Sequence, residues 1–272
     1  MLIHMPKRNI FYFEEDAAMV EAYERARETF RYLWREISWE RRRIVPGLDI
    51  ACVKTVFADR PLEDCERGDP REHMWVQDFE FDGRRITGTL LNQPERLRSV
   101  KQGDQVSFPF EQMTDWIYSF GRRAYGAFTV NLMRMRMSAA ERRAHDESWG
   151  LDFGDPAKVE VMPADWQAKK KGSLGRLLGG ANAAPDPDEE HPMCINMVEK
   201  FGKYLDEHPQ EVTKKDERGR TMLHHESLAG NGLLVQILLQ RGADRTARTT
   251  EGDLPVDLAR RMGWARIVAM LS

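Results

Sequence analysis

Apolar positions along the first forty residues recur at helical spacing. Met19, Tyr23, Ala26, Phe30, Leu33 and Ile37 alternate steps of four and three, while Glu21, Glu24, Arg25, Arg27, Glu28, Arg31 and Arg35 occupy the other side. Such a stripe predicts a helix that starts at Asp16 and lays one face on a sheet. A partner-binding or coiled-coil face is the lesser alternative, since the pattern spans fewer than four heptads. Pro46–Gly47 breaks the chain, and short strand-like segments follow. Ile50 to Phe57 is rich in β-branched residues. His73 to Phe81 sets Trp75, Gln77 and Phe79 against Val76 and Asp78. Asp82-Gly83 is a hairpin signal, with Arg85 to Leu91 as the returning strand. Val106 to Phe110 and Thr114 to Tyr118 read as further strands. Phe128 to Met137 also alternates, with a parity change at Leu132-Met133 that suggests a bulge; periodicity leaves a helix open there. Ser138, with Glu141 three residues on, reads as the capping box of a helix running to about Ser148.

Composition narrows the class. The 272 residues are 41% hydrophobic and 31% charged, which suits folded, well-solvated domains rather than a disordered chain. A net charge of -3 gives no basic excess for releasing counterions from a nucleic acid. The three cysteines, Cys52, Cys65 and Cys194, form no CxxC pair, so neither a zinc site nor a disulfide framework is expected, and a reducing compartment is. No apolar signal core follows the charged first residues, and no window of eighteen apolar residues marks a membrane span. A cytoplasmic protein without metal or cofactor is expected. Asp165 to Pro192, with Lys169, Lys170, Lys171, clustered glycines and the Pro185–Glu190 run, reads as a linker. The expected division is 1–166, a linker over 167–192, and 193–272.

The last eighty residues repeat. Adding 33 carries Gly219 to Gly252, Leu223 to Val256, Gly230 to Gly263, Val235 to Val268 and Leu238 to Leu271. Asp216 to His224, Gly230 at a helix–helix turn and Gly242-Ala243-Asp244 at the end together resemble the ankyrin repeat, whose period is 33. Met197 to Leu205 would be the second helix of a degenerate first repeat. Met222 stands where the family has proline, and Glu226-Ser227 where it has a small pair. The resemblance implies an all-α ankyrin-repeat stack, with His224 ordering a turn by hydrogen bonds. It also implies a protein-binding surface at Glu217, Arg218, Arg220, Leu228 and Ala229, and again at Thr250, Glu251, Asp253, Arg261 and Met262.

Ordered short motifs fill the first part: Ala22 to Phe30, Val53-Lys54, His73-Met74-Trp75-Val76, Gly88 to Pro94, Gly103-Asp104, Asp115-Trp116-Ile117, then Gly126 and Thr129. Over residues 14–137 these resemble the bacterial family of domains of unknown function numbered 2314, which includes small YegJ-like members. The resemblance implies an α+β fold, an antiparallel sheet with a long packed helix, and no particular chemistry.

His73, Asp104, Glu111 and Asp115 are the candidates for acid–base work, but the spacing does not bring them together and no Gly-x-Ser-x-Gly accompanies them. The glycines of 172–180 lack the Lys-Ser/Thr ending of a phosphate loop. Arg41–Arg43 and Lys169–Lys171 read as solvated faces, and Trp116, Trp149 and Trp166 as core or interface residues. The expected function is therefore non-catalytic protein binding, with no nucleic acid and no membrane. By analogy, the partner expected is a cognate toxin effector that this chain neutralises as a bacterial immunity protein. The alternative is an enzyme or small-ligand sensor whose sheet holds a concave polar cluster containing His73 or Asp115.

Overall fold

A computed structural model describes residues 16–66, 68–164 and 189–272. The chain divides into two compact units, Met1–Val161 and Met162–Ser272. In the first, Asp16 caps helix α1 (Ala17–Glu40) by accepting from the Met19 amide at 2.9 Å. Six strands follow: β1 (Leu48–Ala58), β2 (Arg71–Phe81), β3 (Arg85–Leu90), β4 (Gln105–Pro109), β5 (Met113–Phe120) and β6 (Arg123–Gly126). They form one sheet in the order β4-β3-β2-β1-β5-β6, with all neighbours antiparallel. This is an α+β unit. The short edge strand β6 carries no alternating signature and goes unmarked in the sequence.

Strand alternation gives the sheet two different faces. Val53, Val76 and Trp116 are in register across β2, β1 and β5 and are fully buried. Their face meets α1, where the Trp116 indole donates to the Ala26 carbonyl at 2.8 Å. Cys52, Trp75 and Ile117 lie on the opposite face and pack with Trp149, Leu151 and Phe153. Asp78, at φ 49°, forms a bulge in β2 that reverses the parity. Beyond it Phe79 and Phe81 turn to α1 and meet Phe30 and Trp34. The unbroken alternation expected over 73–81 is thus interrupted. Arg35, expected on the polar side of α1, is 2% exposed and stands over the Tyr32 ring. The basic run at 41–43 is engaged by its own chain: Arg41 pairs with Glu80, and Arg43 with Glu36 and Glu40.

The strand reading of 128–137 is corrected. Phe128–Arg136 is a helix, α2, and its first turn lacks a local cap because Ala127 has no acceptor. The buried Asp115 carboxylate supplies one, accepting from the Phe128 and Thr129 amides at 2.9 Å each. A tertiary partner thereby decides a stretch whose periodicity was ambiguous. Ser138 does form the capping box of α3 (Ala139–Trp149) with Glu141. Arg134, buried, locks the two helices by a bidentate pair with Asp146 at 2.8 and 2.6 Å.

In the second unit α4 (Pro192–Glu207) precedes two helix pairs, α5 (Met222–Ala229) with α6 (Gly232–Gln240) and α7 (Pro255–Arg261) with α8 (Ala265–Leu271). Each helix of the second pair begins 33 residues after its counterpart, from Met222 to Pro255 and from Gly232 to Ala265. Helices α5 and α7 pack side by side, and α4, α6 and α8 form the other layer. The stretch read as a linker, and with it Trp166 and Lys169–Lys171, lies almost wholly outside the described residues. Its last part is packed: Glu190 and His191 are buried, and Glu190 pairs with Arg266 at 3.0 Å. Among the described residues no helix is long and apolar enough to cross a membrane.

Candidate functional site

Two places concentrate side chains that could act on something outside the chain. The first is built by the turns before α5 and α7. Asp216 closes one turn by accepting from the Arg218 and Arg220 amides at 2.9 and 2.8 Å, and Thr249 closes the next with Asp253. The Thr250 amide donates to the Arg218 carbonyl at 2.9 Å and ties the two tips in register. His224, with no exposed surface, braces them. Its Nε2–H donates to the Ala247 and Asp253 carbonyls at 3.1 and 3.3 Å, while Nδ1 accepts from the Thr221 amide and hydroxyl at 3.1 and 2.9 Å. Burial holds its pKa below the usual histidine range.

These contacts sort the residues expected at a binding surface. Glu217, Arg218, Thr250 and Glu251 are exposed on the two tips. Leu228, Ala229 and Met262 are buried among the helices, and Arg220 is 9% exposed. Their apolar or packed side chains serve the repeat core, so a surface role for them is corrected. Asp253 is buried and holds Arg261 in a bidentate pair at 2.9 and 2.5 Å. That pair is internal, so Asp253 leaves the surface set too, whereas Arg261 remains exposed.

The second place is a cavity of about 60 Å³ in the first unit, lined by Met19, Tyr23, Lys54, His73, Trp75, Thr129, Val130, Met133, His145 and Trp149. Cross-strand register makes it: Lys54 on β1 stands opposite Trp75 of β2 and Asp115 of β5. The Lys54 ammonium donates to the Thr129 hydroxyl, lies 3.8 Å from Asp115 Oδ2, and sits 4.8 Å from the Trp75 ring centroid. Asp115, fully buried, accepts from the Trp116, Phe128 and Thr129 amides at 2.9 Å and from the Thr129 hydroxyl at 2.5 Å. Every group aimed at it is a donor, which suits the ionised carboxylate. Burial pushes the Asp115 carboxyl up and the Lys54 ammonium down, each against the pull of the other.

His73 stacks on Tyr23 with centroids 5.6 Å apart, and its Nδ1 meets the Thr114 hydroxyl at 3.2 Å. That hydroxyl donates to the Lys54 carbonyl, so it accepts from Nδ1–H. Burial, helped by Lys54, pushes the His73 pKa down to about 4. His145 Nδ1 contacts Asp146 at 2.9 Å, with its ring against Trp149 and Phe153.

Of the four acid–base candidates, the fold brings His73 and Asp115 to this cluster and leaves two outside. Asp104 caps the β3–β4 turn, accepting from the Lys101 amide, and Glu111 is exposed in a short turn of helix. Lys54, Thr129 and His145 were not among the candidates. For the first two the available signal was their place in the motifs that mark the N-terminal resemblance; His145 had none. Among the described residues no group of three or more His, Cys, Asp or Glu is placed to hold a metal ion.

The family described as "Uncharacterized protein conserved in bacteria (DUF2314)" matches residues 16–153. A "Putative ankyrin repeat protein" of Neisseria meningitidis serogroup B (strain ATCC BAA-335 / MC58) is 40% identical over 263 residues, 96% of each chain. The "Uncharacterized protein YegJ" of Escherichia coli (strain K12) is 28% identical over 60 residues, 22% of this chain and 39% of the other.

Proposed function

This chain belongs to the DUF2314 family, and from that premise we propose that it works by binding another protein through its second unit, an ankyrin-repeat stack, without catalysing a reaction. One observation carries the reading: successive tips are tied by the Thr250–Arg218 hydrogen bond and leave Glu217, Arg218, Thr250 and Glu251 exposed in fixed register. Backbone order at the tips lowers the entropy that a partner's docking would otherwise cost. The 33-residue helix pairs and the name of the Neisseria relative support the repeat assignment. Mixed charge on the tips, with both acids and a base, suits a polypeptide better than a phosphate backbone.

The partner class we propose is a cognate toxin effector, which the chain neutralises in the cytoplasm of the producing bacterium. That choice rests on analogy with small bacterial ankyrin proteins. Affinity capture of the native chain followed by mass spectrometry tests both levels. A single stable protein partner is expected, and co-expression with it should abolish that partner's toxicity. Capture of no stable partner would overturn the binding reading. A partner that is harmless when expressed alone would overturn the toxin reading and leave the first intact.

A further inference from the structure

The cavity of the first unit has charge balance without hydrogen-bond balance. Lys54 and Asp115 are 3.8 Å apart and offset one another. Asp115 spends its oxygens on four donors, three amides and the Thr129 hydroxyl. Lys54 carries three N–H donors, yet among the described residues only the Thr129 hydroxyl accepts from it. The ammonium also lies over the Trp75 ring, so the capacity left to it is on the side of Lys54 that lines the cavity.

His145 also lines the cavity; in its neutral form, with Nδ1–H donating to Asp146, the ring carries its lone pair on Nε2. The cavity therefore presents a donor and an acceptor between the aromatic faces of Tyr23, Trp75 and Trp149. An added carboxylate or phosphate would bring an unbalanced charge into a site whose own charges already cancel, and burying unpaired charge is costly. A neutral group avoids that cost while answering both partners. Lys54, His73 and Thr129, which line the cavity, and Asp115 behind them come from the same short motifs that mark the N-terminal family resemblance.

We propose that this cavity binds a small neutral molecule carrying a carbonyl oxygen beside an N–H, of which a primary carboxamide is the simplest case. The carbonyl accepts from Lys54, the N–H donates to His145, and a short apolar body lies against Trp75 and Trp149. At about 60 Å³ the space admits a compact body of a few heavy atoms rather than a nucleotide.

Titration of the full-length chain with propionamide, sodium propionate and inorganic phosphate, followed by amide and side-chain NMR shifts, tests this. Propionamide should give saturable shifts at Lys54, Trp75, Thr129 and His145, and the two anions should give none there. Met133→Trp, which fills the lining from a half-buried position, and Lys54→Met should each weaken binding by at least about tenfold. Met133→Trp leaves the Lys54–Asp115 pair in place, so it serves where Lys54→Met fails to fold. Shifts at these residues with either anion, no saturable shift with propionamide, or undiminished binding in Met133→Trp would each overturn the assignment.

Discussion

Single buried groups decide the most in the first unit. Asp115 takes four hydrogen bonds, caps α2 and faces the Lys54 ammonium. Asp115→Asn would turn an amide NH2 toward donors and leave Lys54 without its counter-charge. A loss of about 3–5 kcal/mol is expected in urea unfolding, as for other broken buried pairs; a loss below about 1 kcal/mol would show that the pair carries little. His73 makes a pH prediction. Unfolded histidine titrates near about 6.5, and the folded site pushes it down to about 4. Below about pH 6.5 the unfolded chain therefore takes up a proton that the fold refuses. The contribution of His73 is complete above about pH 6.5 and fades as pH falls toward 4, by about 3 kcal/mol in all. His224 is shifted in the same direction, so the comparison must be with His73→Gln, whose stability should fall less over that range. A carbon-detected titration of the His73 ring with its midpoint above pH 6 would contradict the shift.

At the scale of the element, what matters is where an end is satisfied. Helix α3 carries its own cap: Ser138 accepts from the Glu141 amide and Glu141 Oε2 accepts from the Ser138 amide at 2.8 Å. Ser138→Ala should cost about 0.5–2 kcal/mol and speed hydrogen exchange in the first turn of α3, leaving α2 unaffected. Helix α2 should respond instead to Asp115. Between α5 and α6, Gly230 stands at φ 79°, and a Cβ there would come within 2.4 Å of the Trp264 ring. Trp264 is buried and donates to the Leu228 carbonyl at 3.1 Å, so it has little room to give way. Gly230→Ala combines a left-handed strain with overpacking and should cost about 2–4 kcal/mol, measured as a drop in the unfolding midpoint. A cost within about 0.5 kcal/mol would mean that Trp264 moves aside readily.

For the whole molecule, the two tips on α5 and α7 give the interaction prediction. Glu217→Arg combined with Glu251→Arg should weaken the captured partner's binding by about tenfold or more, while the thermal midpoint of the chain stays within about 2 °C. Unchanged affinity would place the contact elsewhere. Leu228 and Met262 are not useful probes of that surface. Both are buried, so truncating them would unfold repeats rather than remove contacts.

Local chemistry was enough to mark α1, the Asp82-Gly83 hairpin, the α3 capping box and the 33-residue period, because each of these is set by neighbours along the chain. Residues 128–136 became a helix only because Asp115 reaches their first turn from β5, and the alternation of β2 reversed only because Asp78 bulges. The convergence of Lys54, His73, Thr129 and His145 on one cavity likewise needed strand register and helix packing, since residues 91 positions apart meet only when the sheet forms. Sequence spacing determines which faces an element can present; burial and remote hydrogen bonds decide which of them become core, cap or open surface.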